Sequence, residues 1–361
     1  MAEEKKATVD VVVVGCGMPK KGMGWYHITQ LLDDMPNANM KAVVEPFFLN
    51  PALCKNVPEP FETMIASFRE RGVECTKSVE EVSEFTQTTV CLVAGRTMDN
   101  PKLFRQCVEK GAKVIYLEKP GAPSVTELEE METLAKEKGV EVYIGYNKNV
   151  TPYVQKALRV VGEQEGSTVL FCHNNSYKTE ELPECFFRNA EGMLKNMAVH
   201  ELALLVSFFG VTVDTIDKFE VDKEYSEKLT LEGPNGQSYT DFSTIRFSVT
   251  TKTTGNRVSV MADRCGGNVS YALVSDKDGK EIEKFEFPDA ATQTKVEKQA
   301  AADPDMMPYF FVQSDDYLEL KNRVVDAAAA GKVAEGVATI RIGVEALKLA
   351  EYGTDVLSKT L

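Results

Sequence analysis

Positive charge is scarce in this sequence. Its 361 residues carry 41 Lys and Arg against 55 Asp and Glu, a formal net charge of −14. Phosphate contacts need a basic face, so the excess of acid disfavours nucleic acid and anionic membrane as partners and leaves a small molecule as the better match. Long apolar runs are missing as well. The stretch from Met1 to Asp10 is charged and leads into only about four valines, so neither a signal peptide nor a transmembrane helix is expected, and the default address is cytoplasmic. The eight cysteines, at 16, 54, 75, 91, 107, 172, 185 and 265, have no CxxC spacing. That argues against a disulfide framework or a zinc knuckle and leaves most of them as small buried apolar residues. Cys172, His173, Cys185 and His200 could in principle form a metal set, but their spacing matches no common site, and no metal is expected. Internal repeats and low-complexity segments are also absent.

What is present is an ordinary globular composition, 43% apolar, enough for about two domains with real cores. Residues 1–150 alternate strand-like and helix-like segments, the α/β pattern of a parallel sheet covered on both faces. Strands are expected at Val9 to Val14, Met40 to Glu45, Thr89 to Ala94, Val114 to Leu117 and Val140 to Tyr146, their continuous apolar character fitting burial on both sides. Pro101 follows Asp99 and Asn100 into one helix that Gly111 closes. Ser124 with Glu127 forms a capping box for the next, which runs toward Gly139. A further helix starts at Thr151 and Pro152.

Residues 151–361 read as a second, α+β domain. Alternating segments at Thr168 to Asn174, Ile216 to Val221, Phe242 to Thr250, Arg257 to Ala262 and Val269 to Val274 predict a mostly antiparallel sheet. Gly233-Pro234-Asn235-Gly236, Thr254-Gly255-Asn256 and Asp276-Lys277-Asp278-Gly279 are its turn-type breaks. A helix containing Met193, Leu194, Leu202 and Leu205 interrupts the sheet, and alanine-rich helices follow from about Asp315.

The most informative segment is Glu118-Lys119-Pro120. It releases a carboxylate and an ammonium together at the C-terminal edge of the apolar run Val114 to Leu117, where parallel sheets place their ligands. Proline biases Lys119 toward an extended backbone and so restricts where its amine points. A glycine-rich turn, Gly15-Cys16-Gly17 with Gly22-Met23-Gly24, follows the first strand and precedes a helix, as a pyrophosphate-binding turn must. The usual GxGxxG spacing asks for a third glycine at 20, where Lys20 stands, so the loop is longer and Gly22 or Gly24 takes that role. The second strand ends at Glu45, whose carboxylate can accept from a ribose 2′-OH and would repel a 2′-phosphate; with no arginine close behind it, NAD is favoured over NADP. Lys20 and Lys21 either add charge at the pyrophosphate or form a solvated pair. Trp25-Tyr26-His27 either covers the cofactor or packs the helix on the sheet, and packing is the favoured reading.

These residues resemble the glucose-fructose oxidoreductase and inositol dehydrogenase (Gfo/Idh/MocA) family. The resemblance runs through the glycine turn with His27 soon after it, Ala94-Gly95, Glu118-Lys119-Pro120, Gly145-Tyr146-Asn147, Phe187-Arg188 and the segment from Gly192 to His200. It implies an N-terminal Rossmann domain and a C-terminal domain whose open sheet builds a homodimer or homotetramer. The implied reaction moves a hydride between a nicotinamide and a hydroxyl-bearing carbon of a small sugar, polyol or related metabolite. Lys119 and His200 would be its acid/base residues. Cofactor contacts would come from Gly15, Gly17, Gly22, Gly24, Glu45, Gly95, Arg96, Thr97, Glu118 and Asn147. Asn174, Tyr177, Arg188, Asn196 and His200, with Lys119, are the candidate substrate residues.

Removing a hydride from an alcohol requires its O–H proton to leave, so a base must reach that oxygen. A lysine serves near neutral pH only if brought from about 10.4 to roughly 7 or 8, which burial and neighbouring positive charge achieve. A carboxylate pointing the same way opposes this, so Glu118 is expected to face the cofactor. Asn196, expected one helical turn before His200, stands where the family pattern has aspartate. An amide can orient a hydroxyl but cannot act as a base. That departure keeps open a non-catalytic NAD-binding sensor, and an NAD-dependent lyase or glycosidase with transient oxidation is a third reading.

Overall fold

The computed structural model describes residues 8–252, 255 and 257–361. Met1 to Ala7 of the charged N-terminal stretch, and Thr254 and Asn256 of one expected turn, lie outside the described residues. The chain forms two compact units, one from the chain up to Asn147 together with Lys295–Gly343, the other from Lys148–Thr294 with Val344–Leu361.

The first unit is built on β1 (Val9–Val14), β2 (Ala38–Val44), β3 (Glu74–Thr76), β4 (Val90–Val93), β5 (Val114–Leu117) and β6 (Glu141–Ile144), with α1 (Met23–Asp33), α2 (Glu59–Glu70), α3 (Asn100–Glu109) and α4 (Val125–Lys138) between them. The six strands are parallel in the order β3-β2-β1-β4-β5-β6, the Rossmann arrangement. Its strand order reverses between β1 and β4, and ligands of such sheets bind outside the carboxyl ends at that point. Val11 to Val14 and Val90 to Val93 are at most 2% exposed, as strands covered on both faces must be. The helix ends follow local chemistry. Ser124 Oγ accepts the Glu127 N–H at 3.2 Å and donates to its carboxylate at 2.7 Å, while Gly139, at φ +63°, closes α4 in the left-handed conformation.

The second unit begins with α5 (Pro152–Glu163) and β7 (Thr168–Asn174), followed by α6 (Leu182–Arg188), α7 (Met193–Asn196) and α8 (Val199–Phe209). The rest of its sheet is β8 (Ile216–Val221), β9 (Glu227–Glu232), β10 (Ser238–Thr251), β11 (Arg257–Asp263), β12 (Ser270–Ser275) and β13 (Glu281–Phe287). The order is β13-β12-β7-β11-β10-β8, with β9 also on β10. Every pairing is antiparallel except β7 with β11. The expected single helix holding Asn196 and His200 is instead interrupted: α7 ends at Asn196 and α8 starts at Val199.

Four helices complete the chain: α9 (Ala290–Ala302), α10 (Pro308–Val312), α11 (Ser314–Ala330) and α12 (Ile340–Thr360). In the first unit, Phe310 of α10 and Tyr317 of α11 pack on Tyr26 of α1, with ring centroids 4.8 and 6.1 Å away, and Trp25 meets Phe310 edge-on. Trp25 and Tyr26 therefore pack α1 against the helices α10 and α11, where the sequence predicts packing of α1 on the sheet. Among the described residues no helix is long and apolar enough to cross a membrane.

Candidate functional site

The turn after β1 is shaped by close backbone approaches. Gly15, at φ +88°, could carry no side chain, because a Cβ there would stand 2.7 Å from Gly95 Cα on the turn after β4. At Gly24 a Cβ would come within 1.9 Å of the Gly15 carbonyl oxygen. Gly24 thus lets α1 pack against the turn, while Gly22 is the residue at its N-terminus. Lys20 sits in the left-handed region at φ +59°, and its ammonium is 2.7 Å from Asp303.

Around this turn lies a cavity of about 660 Å³. Gly15, Gly17, Gly22, Glu45, Gly95 and Arg96, six of the candidate cofactor residues, all line it. So do Phe47, Phe48, Leu53 and Lys102, which the sequence reading did not single out. Phe48 rests on Phe61 at 4.7 Å and Phe47 on Phe48 at 5.1 Å, giving the cavity an aromatic wall. Arg96 pairs with Asp99 at 3.0 Å. Gly24, Thr97, Glu118 and Asn147 are not lining residues of this cavity, and the Asn147 amide donates to Gln313 at 3.2 Å.

Glu45, buried at the end of β2, clamps the turn. One carboxylate oxygen accepts the Gly17 N–H at 2.9 Å and the Cys16 thiol at 3.5 Å; the other accepts the Phe47 N–H at 3.1 Å. Burial pushes the Cys16 thiol well up, and the neighbouring Glu45 charge adds to that. The cavity's glycine rim and its acidic residue are therefore one hydrogen-bonded piece, and a dinucleotide fits it: backbone N–H groups for a pyrophosphate, a carboxylate for a ribose and apolar rings for a base.

β5 delivers the Glu-Lys-Pro edge. The Glu118 N–H continues the sheet ladder to Val93 at 2.9 Å, so Lys119, half-buried, stands at the carboxyl end beside β4. Glu118 is buried, and one of its oxygens accepts from His27 Nε2 at 2.8 Å and from the Tyr116 hydroxyl at 3.2 Å. His27 is held down to about 4, first by burial and then by the charge of Lys321. Lys321 of α11 belongs to the same buried row, and nothing in the sequence pattern marked it, because a lysine on an alanine-rich helix reads as a solvated residue.

In the second unit, His200 is 8% exposed at the start of α8. The Asn196 amide donates to Glu191 at 2.7 Å. Asp241 accepts the Met193 N–H at 3.0 Å and so caps α7, while pairing with the fully buried Arg264. The Arg264 guanidinium also reaches the Phe242 carbonyl at 3.1 Å. Asn174 accepts from Cys172 and donates to the Gly266 carbonyl, both at 3.3 Å. Tyr177 is half-buried and pushed up by burial, and Arg188 is exposed at the end of α6. A buried ion pair joins Lys148 to Glu201, the neighbour of His200. Among the described residues no group of three or more His, Cys, Asp or Glu could hold a metal ion.

Residues 9–146 match the Gfo/Idh/MocA family model, described as an oxidoreductase family with an NAD-binding Rossmann fold. No curated protein matches the chain. Solved structures do. A probable dehydrogenase from Thermotoga maritima is 17% identical with a TM-score of 0.70, covering 98% of both chains. A myo-inositol dehydrogenase from Corynebacterium glutamicum is 15% identical, with a TM-score of 0.70 over 98% of this chain and 97% of that one. A scyllo-inositol dehydrogenase from Lactobacillus casei with bound NAD(H) and scyllo-inositol is 12% identical, with a TM-score of 0.66 over 98% of both. At such identities the likeness is one of fold.

Proposed function

Since residues 9–146 carry the NAD-binding Rossmann fold of the Gfo/Idh/MocA oxidoreductases, we propose that this chain is an NAD-dependent dehydrogenase acting on a hydroxyl-bearing carbon of a small sugar or polyol. The observation that carries the reading is the cavity bounded by the glycine turn, Glu45 and the end of β4, with Lys119 at the end of the adjoining strand. The solved relatives named inositol dehydrogenases direct the substrate search first to cyclic polyols.

A nicotinamide, when bound, supplies the hydride acceptor. Lys119 takes the hydroxyl proton as the C–H hydrogen leaves with its electron pair, so the carbinol becomes a carbonyl. Glu45 orients a ribose and disfavours a 2′-phosphate, which supports NAD over NADP. His200 and Asn196 serve as substrate-side residues of the second unit, Asn196 as an orienting amide. The test is NADH formation from NAD+ with myo-inositol, scyllo-inositol and a panel of sugars. Lys119→Met should lower turnover by about 10² to 10⁴ while NADH still binds. Full turnover in that variant would sink the reading.

The amide at 196, already engaged by Glu191, favours one second reading, a dinucleotide-binding sensor without turnover. Tight NADH binding with no turnover across the whole panel is the result that would select it.

A further inference from the structure

Behind the Glu118-Lys119-Pro120 edge runs a row of buried polar groups that hydride transfer does not require. Lys321, 2% exposed, donates from Nζ to His27 Nδ1 at 3.0 Å and to the Gln30 side-chain oxygen. His27, 0% exposed, faces Glu118 with Nε2 at 2.8 Å, and the Tyr116 hydroxyl donates to the same carboxylate oxygen. The hydrogen-bond roles follow from chemistry. An ammonium has no acceptor, so Nδ1 must accept; the ring proton is then on Nε2 and donates to Glu118. A neutral imidazole thus bridges a buried cation to a buried carboxylate.

The site of Lys321 gives no packing reason for a charge. Its stem borders a void of only about 10 Å³ shared with Val11, Leu31, Leu92 and Tyr116, surroundings that suit methionine or leucine. Burying a cation there carries a desolvation penalty that an apolar side chain would not. What the position offers is reach to the imidazole that holds Glu118.

Resting on the assignment of Lys119 to the reaction, we propose that Lys321 is a positioning residue of this site: acting through His27, it fixes the ring tautomer that donates to Glu118 and so keeps that carboxylate oriented into the buried row behind the Lys119 edge. Lys321 lies 5.7 Å from the Tyr26 ring centroid, bonds His27 and Gln30 of α1 and borders Tyr116 of β5, with the charges of Glu118, just after β5, and Asp34, at the end of α1, acting on it. Burial draws Lys321 down to about 7 against the pull of Glu118 and Asp34. Lys321 is therefore a cation below about that pH and gives up its proton above it.

The test uses the full-length, ligand-free protein with isotope-labelled histidine. The chain has only three histidines, so His27 is readily followed by NMR. In the wild type His27 should remain a neutral Nε2–H ring from pH 7, where Lys321 is still partly an ammonium, down to pH 5. In Lys321→Met it loses both its Nδ1 donor and the neighbouring cation, and its midpoint should rise by about one unit or more. Lys321→Arg should keep the wild-type behaviour, and Lys321→Gln, a donor without charge, should keep the tautomer while raising the midpoint; it serves if the Met variant does not fold. With NAD+ and myo-inositol as probes, Lys321→Met should lower kcat by about ten- to a hundredfold with little change in KM for NAD+, and Arg should restore most of it. An unchanged His27 titration in both the Met and Gln variants overturns the proposal. If no polyol is turned over by the wild type, the dehydrogenase assignment fails while the NMR result still decides the role of Lys321.

Discussion

Gly145 and Glu118 share one space. A Cβ on Gly145 would stand 2.8 Å from a Glu118 carboxylate oxygen and 2.7 Å from the Tyr116 hydroxyl. The Glu118 carboxylate, just after β5, occupies the volume that a side chain on Gly145, just after β6, would need. Gly145→Ala should therefore push Glu118 away from His27, at a cost of about 1–3 kcal/mol typical of overpacking. Chemical denaturation reads the stability loss, and the His27 NMR signal reads the displaced carboxylate.

Glu45 accepts one backbone N–H from the glycine turn, that of Gly17, and one from Phe47 just beyond β2. Removing it leaves those donors without their charged acceptor, a loss of about 1–3 kcal/mol. NADH affinity measured by fluorescence should fall about tenfold or more in Glu45→Ala, and the preference for NADH over NADPH should shrink. Undiminished discrimination in that variant would show that Glu45 shapes the turn without reading the ribose.

The buried row gives stability a definite pH dependence. Lys321, ordinarily near 10.5, is lowered to about 7, so between those values the unfolded chain holds a proton that the folded chain has released. Stability must rise with pH across that window, by at most about 1.4 kcal/mol per pH unit per proton. His27, lowered from 6.5 to about 4, acts with the same sign between those values. Buried Tyr26, Tyr116 and Tyr317, all pushed up, oppose this only above about pH 10. The unfolding free energy of the wild type minus that of Lys321→Met should become more positive from pH 7 to pH 9.

Arg264 and Asp241 make the corresponding test for the second unit. Arg264→Met leaves a buried carboxylate that caps α7 without its cation, and breaking such a pair costs about 3–5 kcal/mol. Urea denaturation should record that loss, and replacing both partners by apolar residues should cost less than replacing Arg264 alone.

Much of this was legible in the sequence. β1, β5, β7 and β8 begin and end where the apolar pattern places them, because strands buried on both faces, or cleanly alternating, leave an unambiguous signal. The strands the pattern missed are β3, β9 and β13. β3 and β13 close the edges of their sheets, and β13, with the sequence EIEKFEF, is largely exposed; charged edge strands protect against aggregation by not looking like strands. The glycine turn, Glu45 and Gly95 could be grouped because each ends a strand of one parallel sheet. Phe47 and Phe48 follow Glu45 almost immediately and could have been found from that position alone. Lys321 could not. Its burial depends on α11 covering α1, and helical periodicity in an alanine-rich stretch does not say which face is covered.

The first unit is completed by a stretch of chain that begins only at Lys295, after every strand of the second unit's sheet. During synthesis the whole parallel sheet leaves the ribosome long before α10 and α11 do, and until then Tyr26 has no aromatic cover and His27 has no cation beside it. A protein shortened to residues 1–147 would carry every residue of the glycine turn, Glu45 and Glu118, and would still lack the helices that cover α1.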